Sequence, residues 1–169
     1  KKENDFQRSI ANYAAGKAFQ ISKNARKEGF DALIKKLDSA SHVVIGITAT
    51  SNSPRKRFGT TPQEDYLMKT LRKKGKKVVV TVFGSPYILN HLKECSRANA
   101  LVWAYTDNPY TQNFSAQVLF GGVAAKGRLS VTGSPAFPVG SGIDMPASVL
   151  RYPTENEEKH YEKVLRRID

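Results

Sequence analysis

Apolar positions along the chain recur with two spacings, and the alternation between them predicts a parallel α/β domain. Phe6, Ile10 and Tyr13 stand at i, i+4 and i+7, so 5–15 reads as an amphipathic helix. Ala18-Phe19-Gln20-Ile21 is a short strand candidate. Phe30, Leu33, Ile34 and Leu37 form a second helical stripe. The run 42–48, with Val-Val-Ile-Gly-Ile at its centre, is continuous, as a strand covered on both faces should be.

The third helix has the clearest boundaries. Thr61 can cap it, Pro62 suits its first turn, and Glu64 completes a Thr-x-x-Glu capping box. Leu67 and Leu71 supply its buried face. Arg72, Lys73 and Lys74 sit at its negative end, and Gly75 suits the left-handed residue beyond it.

Lys77–Phe83 is the next buried strand, after which Gly84 turns the chain, Ser85 caps, and Pro86 starts a helix carrying Ile88, Leu89 and Leu92. A strand at 100–105 follows. Pro109 and Thr111 then open a helix with Phe114 and Val118 inward, ended by Gly121-Gly122. Residues 129–131 suit a last, short strand. Gly, Pro and Ser dominate 133–153, which reads as an ordered wrap or a linker. Thr154-x-x-Glu157 and the stripe Tyr161, Val164, Leu165, Ile168 define a final helix over 154–169.

Strands alternating with helices predict a three-layer α/β/α sandwich over 1–132, flavodoxin-like, with a mostly parallel sheet of about five strands. Such a chain ordinarily opens on a strand, so a first strand is expected upstream of Lys1.

The 169 residues suit one core-forming domain. No apolar run is long enough for a membrane helix, and Lys1-Lys2-Glu3-Asn4-Asp5 is no signal segment. Cys95, standing alone, excludes an internal disulfide framework and a multi-cysteine metal site. The net charge of +12 favours acidic partners, nucleic acid among them. Helix-end electrostatics nevertheless accounts for much of it, as at 72–74.

Phe83-Gly84-Ser85-Pro86-Tyr87, Val102-Trp103-Ala104-Tyr105, Gln117-Val118-Leu119-Phe120-Gly121-Gly122 and Gly127-Arg128-Leu129-Ser130-Val131 occur in that order. The set resembles the C-terminal domain of family 3 glycoside hydrolases, and most of all the β-N-acetylglucosaminidase-like members of Bacteroidetes-type bacteria. Ser130 departs from the family's usual Pro, and the loop 53–58 is longer and more basic.

The resemblance implies an accessory domain without catalytic residues of its own, acting on carbohydrate in partnership with an N-terminal barrel that carries the catalytic Asp. It also implies a periplasmic or extracellular location. The ending Leu150-Arg151-Tyr152-Pro153 with the last helix looks like the lead-in to a following serine β-lactamase-like domain.

A retaining glycosidase needs two carboxylates about 5–5.5 Å apart. Glu64 is the acid nearest the loop 48–61, and capping explains it. Asp107, with Asn108 beside it, ends the 100–105 strand, where it can contact a ligand or form an Asx-turn into Pro109. Arg55, Lys56 and Arg57 are adjacent cations at the carboxyl edge of the sheet, where α/β ligands gather. They can meet an acidic glycan, a peptidoglycan fragment or the barrel, or remain solvated loop charge.

Ser53-Pro54-Arg55-Lys56 matches Ser-x-x-Lys, but its Ser-Asp-Asn and Lys-Thr-Gly partners are missing. Gly84-Ser85-Pro86 fails the Gly-x-Ser-x-Gly pattern. His42, His91 and His160 lie far apart, which argues against a metal, and Cys95 has no nearby His to activate it. Thr48-Ala49-Thr50-Ser51-Asn52-Ser53 resembles a flavodoxin phosphate loop only superficially, since no glycine opens it; no cofactor is expected. Phe58 is the one aromatic near the cations, too little for a nucleic-acid stacking platform. The chain thus reads as a domain that serves an enzyme. A stand-alone module for an acidic ligand and a flavin carrier are the alternatives.

Overall fold

A computed structural model describes residues 2–149, 152–153 and 158–159. Three strands, β1 (His42–Ile47), β2 (Lys77–Phe83) and β3 (Ala100–Ala104), form a parallel sheet in the order β1-β2-β3. β1 meets β2 from His42↔Lys77 to Ile47↔Val82, and β2 meets β3 from Val79↔Ala100 to Phe83↔Ala104. Four helices accompany them: α1 (Asp5–Ala11), α2 (Lys27–Lys36), α3 (Pro62–Lys73) and α4 (Pro109–Leu119). The α/β class and the parallel sheet are as expected. The described residues hold three strands, where about five were expected.

β2 lies between the other two strands, and Val78, Val80, Thr81, Val82 and Phe83 are at most 1% exposed. Its side chains alternate between two clusters. Val78, Val80 and Val82 join Phe30 and Ile34 of α2, Leu67, Met68 and Leu71 of α3, and Val43 and Ile47 of β1. Phe83 turns the other way, to Phe6 of α1, Ala104 and Ala116 of α4. Phe6 and Phe83 meet edge to face, with ring centroids 5.3 Å apart. Gly46 of β1 leaves room for that ring: a Cβ there would lie 3.0 Å from Phe6 Cδ1.

The glycine-ended helices form as their sequences dictate. Gly75 takes φ +75°, with Lys76 N–H donating to Leu71 O at 3.1 Å and Gly75 N–H to Arg72 O at 3.0 Å, a Schellman closure. α4 closes in the same way, Gly122 N–H donating to Gln117 O at 2.8 Å. At the start of α3 the Glu64 carboxylate accepts from Thr61 N–H at 2.8 Å.

Several local expectations need correction. α1 stops at Ala11, where Tyr13 and Ala14 N–H both fold back on Ile10 O. Residues 18–21 make no strand; the Phe19 carbonyl is taken by the Gln7 side chain at 2.9 Å instead of a ladder partner. After Gly84 the chain forms two 3₁₀ turns, Pro86–Asn90 and Lys93–Arg97, in place of an α-helix. Ile88, Leu89 and Leu92 are buried all the same, Leu92 N–H between the two turns donating to Ile88 O at 3.0 Å. Ser85 makes no side-chain cap there.

α4 turns a different face inward from the one expected, with Val118 only half-buried. Phe114 is 40% exposed, whereas Gln112, Ser115, Ala116 and Gln117 are buried. The reason is that α4 packs on α1 as well as on the sheet, and α1 offers polar groups. Gln112 Oε1 accepts from Phe6 N–H at 3.2 Å, and Asn113 Nδ2 donates to Ser9 Oγ at 2.8 Å.

Residues 129–131 are not a strand, since Leu129 exchanges backbone hydrogen bonds with Ser141 and Gly140 rather than with the sheet. Between 121 and 149 the chain is tied by bridges Ala125↔Met145 and Ser134↔Phe137 and by Ser148 N–H on Gly121 O at 2.8 Å. Apart from helical 158–159, the expected final helix at 154–169 lies outside the described residues.

Leu71 is fully buried between α3 and β2. Leu71→Ala is expected to lower unfolding stability by about 2–5 kcal/mol, seen as a reduced urea midpoint with an unchanged slope.

Candidate functional site

The carboxyl ends of β1, β2 and β3 deliver three loops to one edge, the place where open α/β sheets collect ligands. The β1 loop, 48–61, dominates it. Its backbone is unusual: Ala49 at φ +52°, Arg57 at +50° and Phe58 at +54° are the positive-φ non-glycine residues among those described. Gly59 continues the left-handed run at +79°.

Six hydrogen bonds hold that shape. Ser51 N–H donates to Phe58 O at 2.8 Å and Phe58 N–H to Ser53 O at 3.0 Å, closing the loop on itself. The Lys23 ammonium donates to the carbonyls of Gly59, at 2.7 Å, and Ala49. Ala49 N–H donates to Asp107 Oδ2 at 2.6 Å, tying the loop to the end of β3. Thr50 Oγ1 donates to Phe83 O at 2.5 Å, tying it to the end of β2. Gly84, at φ +153°, permits that approach, since a Cβ there would fall 2.2 Å from Thr50 Oγ1. The buried Phe58 ring anchors the loop against Tyr87 and His91, at centroid distances of 6.0 and 5.9 Å.

The candidates are thereby placed. Arg55, Lys56 and Arg57 lie in the 3₁₀ segment Pro54–Gly59, exposed, and their side chains make no hydrogen bond or ion pair among the described residues. Asp107 stands at the root of the same loop with both oxygens engaged, the second accepting from Gln112 Nε2 at 2.6 Å. Asn108 caps α4, accepting from Thr111 N–H at 2.9 Å.

Lys23 and Gln112 were not singled out in the sequence. Lys23 looks like any surface lysine, and its partners lie 26 and 36 residues away.

The acids near this edge are occupied. Glu64 is 8% exposed and accepts from Thr61 N–H. Burial pushes its carboxyl above the ordinary 4.5, against the opposing pull of the Thr61 hydrogen bond and of Lys23 and Arg57. Asp65 accepts from Lys93 and Glu94 N–H, each at 3.1 Å. Neither arrangement is a facing pair of free carboxyls. Burial, helped by Asp65, Glu64 and Glu94, pushes the Cys95 thiol up to about 12, so it stays protonated at neutral pH. Among the described residues no cluster of three His, Cys, Asp or Glu has metal-binding proximity, and no helix is long and apolar enough to cross a membrane. An open polar cavity of about 250 Å³ lies elsewhere, with Asp5, Arg8, Ser9 and Asn113 in its wall.

The site is thus a parallel α/β domain with a pinned basic loop at the carboxyl edge of its sheet. The chain matches the glycosyl hydrolase family 3 C-terminal domain over residues 6–163, and so belongs to that family. No curated protein and no solved structure matched it. Family membership makes this a domain of a glycoside hydrolase and implies a catalytic partner domain in the parent protein.

Burial of Glu64 sets a pH dependence. Because the folded carboxyl value is raised, the stabilisation it brings is fully present below the ordinary 4.5 and is lost as pH rises through the folded value. Glu64→Gln keeps an oxygen for Thr61 N–H, so the variant is expected to be the more stable at neutral pH. Its advantage should vanish in thermal melts below 4.5. Asp107→Ala removes two hydrogen bonds and is expected to lower stability by about 1–3 kcal/mol, with faster amide exchange at Ala49 and Phe58.

Proposed function

We propose that this chain is a non-catalytic accessory domain of a multidomain family 3 glycoside hydrolase, packing on a catalytic barrel and shaping its sugar site through the 48–61 loop. The observation that carries the reading is the pinned loop itself, with Arg55, Lys56 and Arg57 unpaired and the neighbouring acids committed to capping. Loops at the carboxyl edge of a rigid α/β scaffold are suited to placing side chains over a neighbour's site. In this reading Arg55 and Arg57 meet the sugar or the barrel, Asp107 positions their loop, and Asn108 holds the start of α4 beside it.

The same proposal keeps the flavodoxin-like, three-layer form of the fold, supported by apolar clusters on both faces of β2. It takes 1–132 as the sandwich, 133–153 as the wrap, and 154–169 as the lead-in to a further, serine β-lactamase-like domain. It also sets the parent in the periplasm or outside the cell, on the strength of the family likeness alone.

The test compares the isolated chain with the full-length enzyme on a chromogenic β-N-acetylglucosaminide. Turnover is expected from the full-length enzyme and none from the chain. Hydrolysis by the chain that is abolished by a single substitution within it would overturn the reading.

A further inference from the structure

We infer that the 49–60 loop is built to take a carboxylate carried by the saccharide, gripped by the guanidinium groups of Arg55 and Arg57 with the Lys56 ammonium beside them. The inference rests on the accessory-domain reading and names the substrate class of its site.

Backbone strain is the first ground. The three non-glycine residues held at positive φ, among those described, all fall in this loop. Each such conformation costs about 1–3 kcal/mol and persists only where the surroundings over-determine it. Here they do: Lys23 grips two carbonyls, Asp107 grips Ala49 N–H, and Phe58 is buried. What this expenditure fixes in space is the segment carrying Arg55, Lys56 and Arg57.

Charge is the second ground. Arg55, Lys56 and Arg57 are consecutive in the chain, exposed, and have no carboxylate within salt-bridge distance among the described residues. Three adjacent like charges on a rigid loop repel one another, and an incoming anion relieves that repulsion.

Ligand chemistry follows from the side chains present. The guanidinium fork matches the two oxygens of a carboxylate, giving short charge-assisted hydrogen bonds. Tyr87, 45% exposed and packed on Phe58 of the same loop, offers an aromatic face for the C–H face of a sugar ring. One exposed ring is not the row of stacking platforms that single-stranded nucleic acid uses.

The test is calorimetric titration of this chain with tetragalacturonate, its methyl ester, inorganic phosphate and an oligothymidylate of equal charge. Tetragalacturonate is expected to bind, more weakly as salt rises, and the ester is not. Arg55→Gln and Arg57→Gly should each weaken binding about tenfold. Glycine at 57 retains the left-handed backbone, so the thermal midpoint should hold.

Failure to bind tetragalacturonate, equal binding of the ester, tighter binding of phosphate or oligothymidylate, or unaffected variants would each overturn the inference. If the chain fails this test while the full-length enzyme still needs the domain for turnover, the loop inference falls and the accessory reading stands. Hydrolysis by the chain alone removes the accessory reading and the inference that rests on it.

Discussion

Burial of β2 on both faces is the constraint on which the remaining architecture depends. Val78, Val80 and Val82 require an apolar cover on one side, and Phe83 requires one on the other. Helices α2 and α3 provide the first, α1 and α4 the second. A strand so covered leaves no face open to solvent, and its exit points at the carboxyl edge become the places where side chains can act.

The second constraint is the cross-tie between neighbouring strand exits. Asp107 and Thr50 fasten the β1 loop to the ends of β3 and β2, while Lys23 holds it from a segment that belongs to no strand or helix. These ties let a six-residue basic stretch keep left-handed geometry at Arg57 and Phe58. The acids beside it are spent on backbone N–H groups. The edge therefore presents positive charge on a loop of held geometry.

Much of the fold was legible in the chain. Strands β1 and β2 stood out as β-branched runs and β3 as a short apolar one, and α3 was delimited at both ends by Thr61, Glu64 and Gly75. The family likeness, carried by the Phe-Gly-Gly and Gly-Arg-Leu segments, agreed with the match over residues 6–163. Misreadings arose where apolar spacing was ambiguous or where a polar partner outcompeted it. Ile88, Leu89 and Leu92 carry helical spacing yet lie in and just after a 3₁₀ turn, and Phe114 yielded the inner face to Gln112 because α1 offered hydrogen-bonding groups there.

Local sequence by itself marked the three strands that form the sheet, where α3 starts and stops, and that three cations fall together after β1, because those properties follow from periodicity and capping between near neighbours. Only tertiary structure decided that Asp107 binds the loop rather than solvent, that Lys23 clamps it, and that Arg57 and Phe58 take left-handed backbone. Each of those depends on contacts between residues distant in the chain, whose energies no local pattern records.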